Sequence, residues 1–309
     1  MDCAMLFPGQ ASQYVGMGRD YYDACEIGRE TYKTANQILG FDIAGLSFEG
    51  DLEELTKTHN AQPAILVHSV VVYRALIKQG FKPKVVAGHS LGEFSALVAA
   101  GFFEFEDALL IVRKRGELMY EAGLERPGTM AAIIGMEEEN VRSCVGDAAD
   151  AGVVVVANIN APAQFAISGE IKAVERAVEI AKERGAKKAL KLQVSGAFHS
   201  PLMEKTSRAL TAYINEFGHG RLDIAWIANV TGTAVEERDK VVGLLSSQLS
   251  SPVLWVKSME TLADLFRGPV FEVGPGKVLT GLMKRIVPDI SVQPLSEVAS
   301  IEQVSKLRS

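Results

Sequence analysis

"VVAGHSLGEFSALVAAG", residues 85–101, is the stretch on which the fold turns. A short β-branched run reads as a buried strand. It passes through Gly88-His89-Ser90-Leu91-Gly92 and continues as an apolar segment of helical character. Gly-x-Ser-x-Gly between a strand and a helix is the signature of a nucleophile elbow, a turn so tight that the serine hydroxyl is thrust out of the sheet. Glycines two residues to either side prevent strand and helix from colliding. With 28 glycines in 309 residues, the bare pattern arises by chance on the order of 0.1 to 0.2 times per chain. The flanking strand and helix therefore carry the argument, and an ordinary strand-to-helix turn is the competing reading.

The same alternation extends in both directions. "CAMLF" (3–7) is a strand ending at Pro8-Gly9, and 63–80 a helix with Pro63 near its start and Gly80 past its end. A long helix follows at 105–123. From about 126 to 191 the order becomes strand, helix, strand, strand, helix, strand, which is the ferredoxin-like βαββαβ pattern. After Ser195 come a helix at 200–217, a strand at 224–229, helices near 240–266, the strand "VFEVG", and a helix at 276–286. The expectation is an α/β protein, with a hydrolase-like large domain (1–125 and 192–309) built on a mainly parallel sheet. A small ferredoxin-like domain at 126–191 interrupts it.

Composition bounds the function. Apolar residues make up 48% and charged residues 23%, and the net charge is −6. A surface for nucleic acid or anionic membrane is not expected from that balance. Three scattered cysteines, Cys3, Cys25 and Cys144, suggest a reducing compartment rather than a disulfide framework or zinc site. No basic leader and no apolar run of membrane-spanning length is visible, so the chain reads as a cytoplasmic enzyme.

A nucleophilic serine needs a base, and the chain offers five histidines. His89 adjoins Ser90 and points elsewhere, so it reads as packing. His68 lies in an apolar helix, and His59 and His219 lie in polar surroundings that suggest solvated side chains. His199, in "VSGAFHSPLM" between a strand and a helix, remains a candidate on position alone. On the 105–123 helix Arg115 shares a face with Met119 four residues on, beside Leu118. If Arg115 faces inward it needs an anion, whereas Arg113 and Lys114 read as solvated.

Together these stretches resemble the malonyl-CoA:acyl carrier protein transacylases and the related acyltransferase domains of fatty-acid and polyketide synthases. The resemblance rests on "LFPGQASQYVGMG" (6–18), "NAQPA" (60–64), "GHSLGE" (88–93), Arg115, "NINAPAQFAISG" (158–169), "VSGAFHSPLM" (194–203), "QLSSPVLW" (248–255) and "FEVGPGKVLTGLMKR" (271–285). These occur in family order over nearly the whole chain.

The resemblance implies a malonyl-Ser90 intermediate with His199 as general base and then acid. It implies an oxyanion hole from the backbone N–H groups of Gln10 and Leu91, and Arg115 as the clamp for the substrate carboxylate. It further implies the backbone carbonyl of Gln248 as the group orienting His199. Gln62, Met119, Asn158 and Asn160 resemble substrate-lining residues, although turn and strand-end caps explain the three amides equally well.

No bound cofactor or metal is implied. The substrates would be malonyl-CoA and the phosphopantetheine arm of acyl carrier protein, and the chain would act as a monomer. Two basic stretches are candidates for meeting an acidic carrier: Lys182, Arg184, Lys187, Lys188 and Lys191, and Lys277, Lys284 and Arg285. Two other classes remain open. A serine esterase or thioesterase would use the same elbow, but the His-Gly-Gly-Gly oxyanion motif and a late histidine are lacking. A silent carrier-binding module would not need Ser90, His199 and Arg115 together. "GPGKVL" suggests a phosphate loop but lacks its spacing.

Overall fold

The computed structural model describes residues 1–306. Ten strands form two sheets: β1 (Asp2–Phe7), β2 (Lys82–Gly88), β3 (Gly128–Ile134), β4 (Val154–Ala161), β5 (Gln164–Glu170), β6 (Lys188–Lys191), β7 (Ala225–Ala228), β8 (Thr233–Val235), β9 (Val270–Val273) and β10 (Val292–Leu295). The larger sheet runs β10-β9-β1-β2-β7-β8. Its first five strands are parallel, and β8 returns antiparallel on β7. The smaller sheet runs β4-β5-β3-β6 and is antiparallel. Helices Glu138–Asp147 and Ile171–Glu183 connect its strands in the βαββαβ order.

The larger sheet is buried on both faces, as parallel sheets are. Cys3, Met5 and Phe7 of β1 join one apolar cluster, and Ala4 and Leu6 join another on the opposite face. β2 divides likewise, with Val86 on one face and Val85 and Ala87 on the other. A third cluster, including Ile133, Val156 and Ile167, fills the smaller sheet and its two helices. The sheets meet along β4, whose Ile159 N–H donates to the Val253 carbonyl at 3.0 Å.

Several elements differ from the sequence reading. The helix expected from Pro63 begins at Thr58 and runs to Lys78, with Pro63 inside it. Proline cannot donate to the carbonyl four residues back, which is that of His59. Arg113 supplies the missing donor, its Nη1 lying 2.8 Å from the His59 oxygen. Arg113 also binds Asn60 and Glu117, so it is not the solvated charge expected. "AKKALKLQV" (186–194) reads as one strand, but β6 stops at Lys191, and Leu192–Val194 leave the sheet to line a cavity. β8 and β10 went unread; β10 is an edge strand, where its Pro294 is tolerated. His219 stacks on Phe102 at 4.9 Å and is not simply solvated. No described helix is long and apolar enough to cross a membrane. The three cysteines are free.

Candidate active site

The elbow is built as its glycines require. A Cβ on Gly88 would lie 1.9 Å from the Gly92 carbonyl, and one on Gly92 would lie 2.1 Å from the Phe7 oxygen. Only glycine fits where β2, β1 and helix Gly92–Ala99 converge. Ser90 itself is strained into the left-handed region, with φ of 50°, a conformation uncommon for a residue with a side chain. Asn229, just beyond β7, holds it there: the Ser90 N–H donates to its Oδ1 at 2.7 Å, and its Nδ2 donates to the Gly88 oxygen at 2.7 Å.

His199 Nε2 lies 2.8 Å from Ser90 Oγ. Its Nδ1 lies 2.9 Å from the Gln248 backbone oxygen. A carbonyl only accepts, so Nδ1 carries the hydrogen and Nε2 turns its lone pair to the serine. His199 also has a left-handed backbone, with φ of 57°. Burial, reinforced by the Arg115 cation, pulls the imidazole down to about 3, so it is neutral at physiological pH.

Arg115 is 1% exposed and reaches the same oxygen from the other side, its Nη2 standing 3.1 Å from Ser90 Oγ. Its remaining partners are neutral: Gln62 Oε1 at 2.6 Å and Gln248 Oε1 at 2.9 Å. Among the described residues its Nε has no partner. The expected inward arginine is therefore present, but no carboxylate hydrogen-bonds to it, and burial pulls it below its ordinary value.

The three groups face a cavity of about 280 Å³, whose wall includes Gln10, Leu91, Met119, Asn158, Asn160 and Phe198. No protein group takes up the backbone N–H of Gln10 or Leu91 among the described residues. A hydroxyl with a neutral base on one side and a cation on the other, beside free N–H donors, can attack a carbonyl in a substrate that also carries an anion. Among the described residues no cluster of three or more His, Cys, Asp or Glu could hold a metal.

A family model described as acyl transferase domain matches residues 4–306. The chain belongs to this acyl transferase family. It is 42% identical over 300 residues to the malonyl CoA-acyl carrier protein transacylase of Bacillus subtilis, covering 97% of this chain and 95% of that one. The crystal structure of an acyl-carrier-protein S-malonyltransferase from Burkholderia pseudomallei superposes with a TM-score of 0.95 at 41% identity, covering 99% of this chain and 100% of that one. A malonyl-transacylase solved in complex with a type II PKS acyl-carrier protein gives a TM-score of 0.95 at 38% identity, with the same coverage.

Against that family background, the sequence-derived candidates fall into place unevenly. Ser90, His199, Arg115, Gln10, Leu91, Met119, Asn158 and Asn160 all reach the cavity. Gln62 does not line it: the side chain is buried behind Arg115, holding that guanidinium and donating to Met119 Sδ at 3.2 Å. Gln248 contributes its side chain as well as its carbonyl. His89, read as packing, donates its Nε2–H to Asn160 Oδ1 at 2.8 Å, tying the elbow to β4.

The basic candidates are partly occupied. Lys191 pairs with Glu175, Arg184 with Asp147, and Arg285 donates to Gln164 and to the Pro162 oxygen. Arg285 is thus a tie between helix Val278–Ile286 and the β4–β5 turn rather than a free surface cation. Lys182, Lys187, Lys188, Lys277 and Lys284 are exposed. Two residues at the centre of the site, Asn229 and Glu93, were not singled out from sequence. Asn229 matters only because β7 lies beside β2, and Glu93 because its carboxylate is buried.

Proposed function

We propose that the chain transfers the malonyl group of malonyl-CoA to the phosphopantetheine thiol of acyl carrier protein, through a malonyl-Ser90 ester, for fatty-acid synthesis. The observation that carries this reading is that Ser90 Oγ is touched at once by His199 Nε2 and Arg115 Nη2. The base makes the hydroxyl a nucleophile, and the cation selects an acyl group ending in a carboxylate, which it can bind bidentately.

Ser90 Oγ attacks the thioester carbonyl as His199 takes its proton. The developing oxyanion meets the backbone N–H groups of Gln10 and Leu91, donors of a kind commonly worth about 3 to 4 kcal/mol each. Collapse expels the CoA thiolate, which receives the proton from His199. The pantetheine thiol then gives its proton to His199 and attacks the ester, and the imidazolium returns a proton to Ser90. His199 works beside a cation that weakens it as a base. The malonyl carboxylate, by neutralising Arg115, restores its basicity as the substrate arrives.

The same reading makes residues 126–191 a small domain closing over the nucleophile, and the protein a cytoplasmic monomer that needs no resident cofactor. Intact-mass spectrometry after mixing with malonyl-CoA tests it. A malonyl adduct lost in Ser90→Ala is expected, discharged by holo carrier protein. Discharge by water alone would make the protein a hydrolase, and no adduct would leave only a binding module. Lys187, Lys188 and Lys284 are exposed and suit an acidic carrier. Their charge reversal should slow discharge to carrier while sparing acylation, and an unchanged discharge rate would place docking elsewhere.

A further inference from the structure

Glu93 lies three residues past the nucleophile, in the first turn of helix Gly92–Ala99, and is 1% exposed. Both carboxyl oxygens accept from N–H groups. Oε1 takes the backbone N–H of Asn229 at 2.7 Å, and Oε2 takes the side-chain Nε2 of Gln248. Gln248 Nε2 spends its other hydrogen on the Ser90 backbone oxygen at 2.8 Å, and its Oε1 receives Arg115 Nη2. Glu93 and Arg115 thus share one amide.

That amide could in principle face either way. Both oxygens of the Glu93 carboxyl face N–H donors and accept from them, whereas a guanidinium only donates. Glu93 and the Ser90 oxygen together draw the NH₂ of Gln248 to one side, which turns its oxygen to Arg115. Turned over, it would set an oxygen against a carboxylate and an NH₂ against a buried cation. We propose that Glu93 is a positioning residue for malonyl selectivity: by fixing the Gln248 amide it holds the Arg115 guanidinium at Ser90 Oγ, where the malonyl carboxylate must be met. Glu93 touches neither substrate nor reacting atoms. The backbone carbonyl of Gln248, which orients His199, does not depend on how the amide is turned, so the selectivity function separates from the base.

The inference rests on the malonyl-transfer reading. The test is acylation of Ser90 by malonyl-CoA and by acetyl-CoA in the same preparations of wild type, Glu93→Gln and Glu93→Asp. Gln at 93 can present either an acceptor or a donor, so it no longer adds to the Ser90 oxygen and Arg115 in fixing the orientation. In E93Q malonyl kcat/KM should fall about 10- to 100-fold, mainly through KM, as expected for loss of a hydrogen bond to a charged group. Acetyl transfer should fall much less. Asp keeps the carboxyl group and should keep the malonyl-to-acetyl ratio even if both rates drop.

Parallel loss of both substrates in E93Q, or an unchanged ratio, would overturn the inference and leave Glu93 a structural residue. If E93Q does not fold, Gln248→Met reads the same ratio, since it removes the amide while keeping the backbone carbonyl. A preserved ratio there overturns the inference equally. Wild-type protein without a malonyl preference would instead overturn the malonyl-transfer reading.

Discussion

Two glycine turns flank the end of β1, one after β2 and one after β9, and both open helices at the same cavity. At Gly88–Gly92 the strain falls on Ser90, while at Gly274–Gly276 the glycines take it, with φ of 137° and 81°. Each is served by a buried glutamate. Glu272 turns its carboxylate onto the second helix and accepts from the N–H groups of Leu279 at 2.9 Å and Thr280 at 2.7 Å, and from the Thr280 hydroxyl. That helix start is closed by the protein's own anion, which is why "GPGKVL" is not a phosphate site. Glu93 instead points away from the elbow's N–H groups, and Leu91 keeps its donor. A glycine-rich strand-to-helix turn becomes a site only where the helix N–H groups are left unclaimed.

The sharpest way to break that contrast is to remove the chemistry from the first turn. Ser90→Ala should abolish the acyl adduct, and His199→Ala should slow both half-reactions, each by about 10⁴- to 10⁶-fold, by analogy with other serine–histidine pairs. Rapid-quench measurement of acylation and of discharge checks both. If His199→Ala slowed only one half-reaction, the single imidazole would not serve as base and acid in turn.

Arg115→Ala should have the next largest effect. Leaving a buried charge without its partner costs about 3–5 kcal/mol, and here the stranded charge would be the malonyl carboxylate. Malonyl transfer should fall by the corresponding factor of some hundreds to thousands, while acetyl transfer gains relative to it. Competition between the two thioesters gives the ratio directly, and an unchanged ratio removes Arg115 from substrate selection.

The acid limb of the rate profile sharpens the picture further. His199 is held well below the ordinary imidazole value by burial and then by Arg115. The neutral base therefore persists as pH falls through 6.5, and acylation kcat/KM should stay flat from pH 8 to about 5. In Arg115→Ala the cation is gone, so the limb read with acetyl-CoA should move to higher pH. A wild-type limb near 6.5 would mean that the imidazole is solvated in solution.

Most of the fold was legible because its punctuation is local. Gly80, Gly88 and Pro8 end elements for reasons of backbone geometry, and the period of apolar residues separates strands from helices. Ser90 was legible for the same reason, and His199 and Arg115 through the resemblance. What escaped depends on contacts between distant segments. Pro63 sits inside a helix only because Arg113, fifty residues away, satisfies the carbonyl it frees. Asn229 reaches the elbow only because β7 pairs with β2. Gln62 moved from cavity wall to backing because burial of Arg115 fixed which side of the guanidinium it meets. No local pattern carries such information.

The smallest expected effect lies at the second turn and tests the comparison from its quiet side. Glu272 is fully buried, and its carboxyl satisfies three donors at the start of helix Val278–Ile286. Gln at 272 has a single acceptor oxygen, so at least one backbone N–H would be left without a partner in a dry environment. Such a loss costs about 1–3 kcal/mol, which should appear as a lower urea midpoint with an unchanged slope. The helix still packs through Leu279, Leu282 and Met283, all in the cluster on that face of the sheet, so the cavity wall should survive and acylation of Ser90 should change less than about threefold. If E272Q instead lowered kcat and left the midpoint alone, the second turn would belong to the reaction, and the contrast between a claimed and an unclaimed helix start would fail.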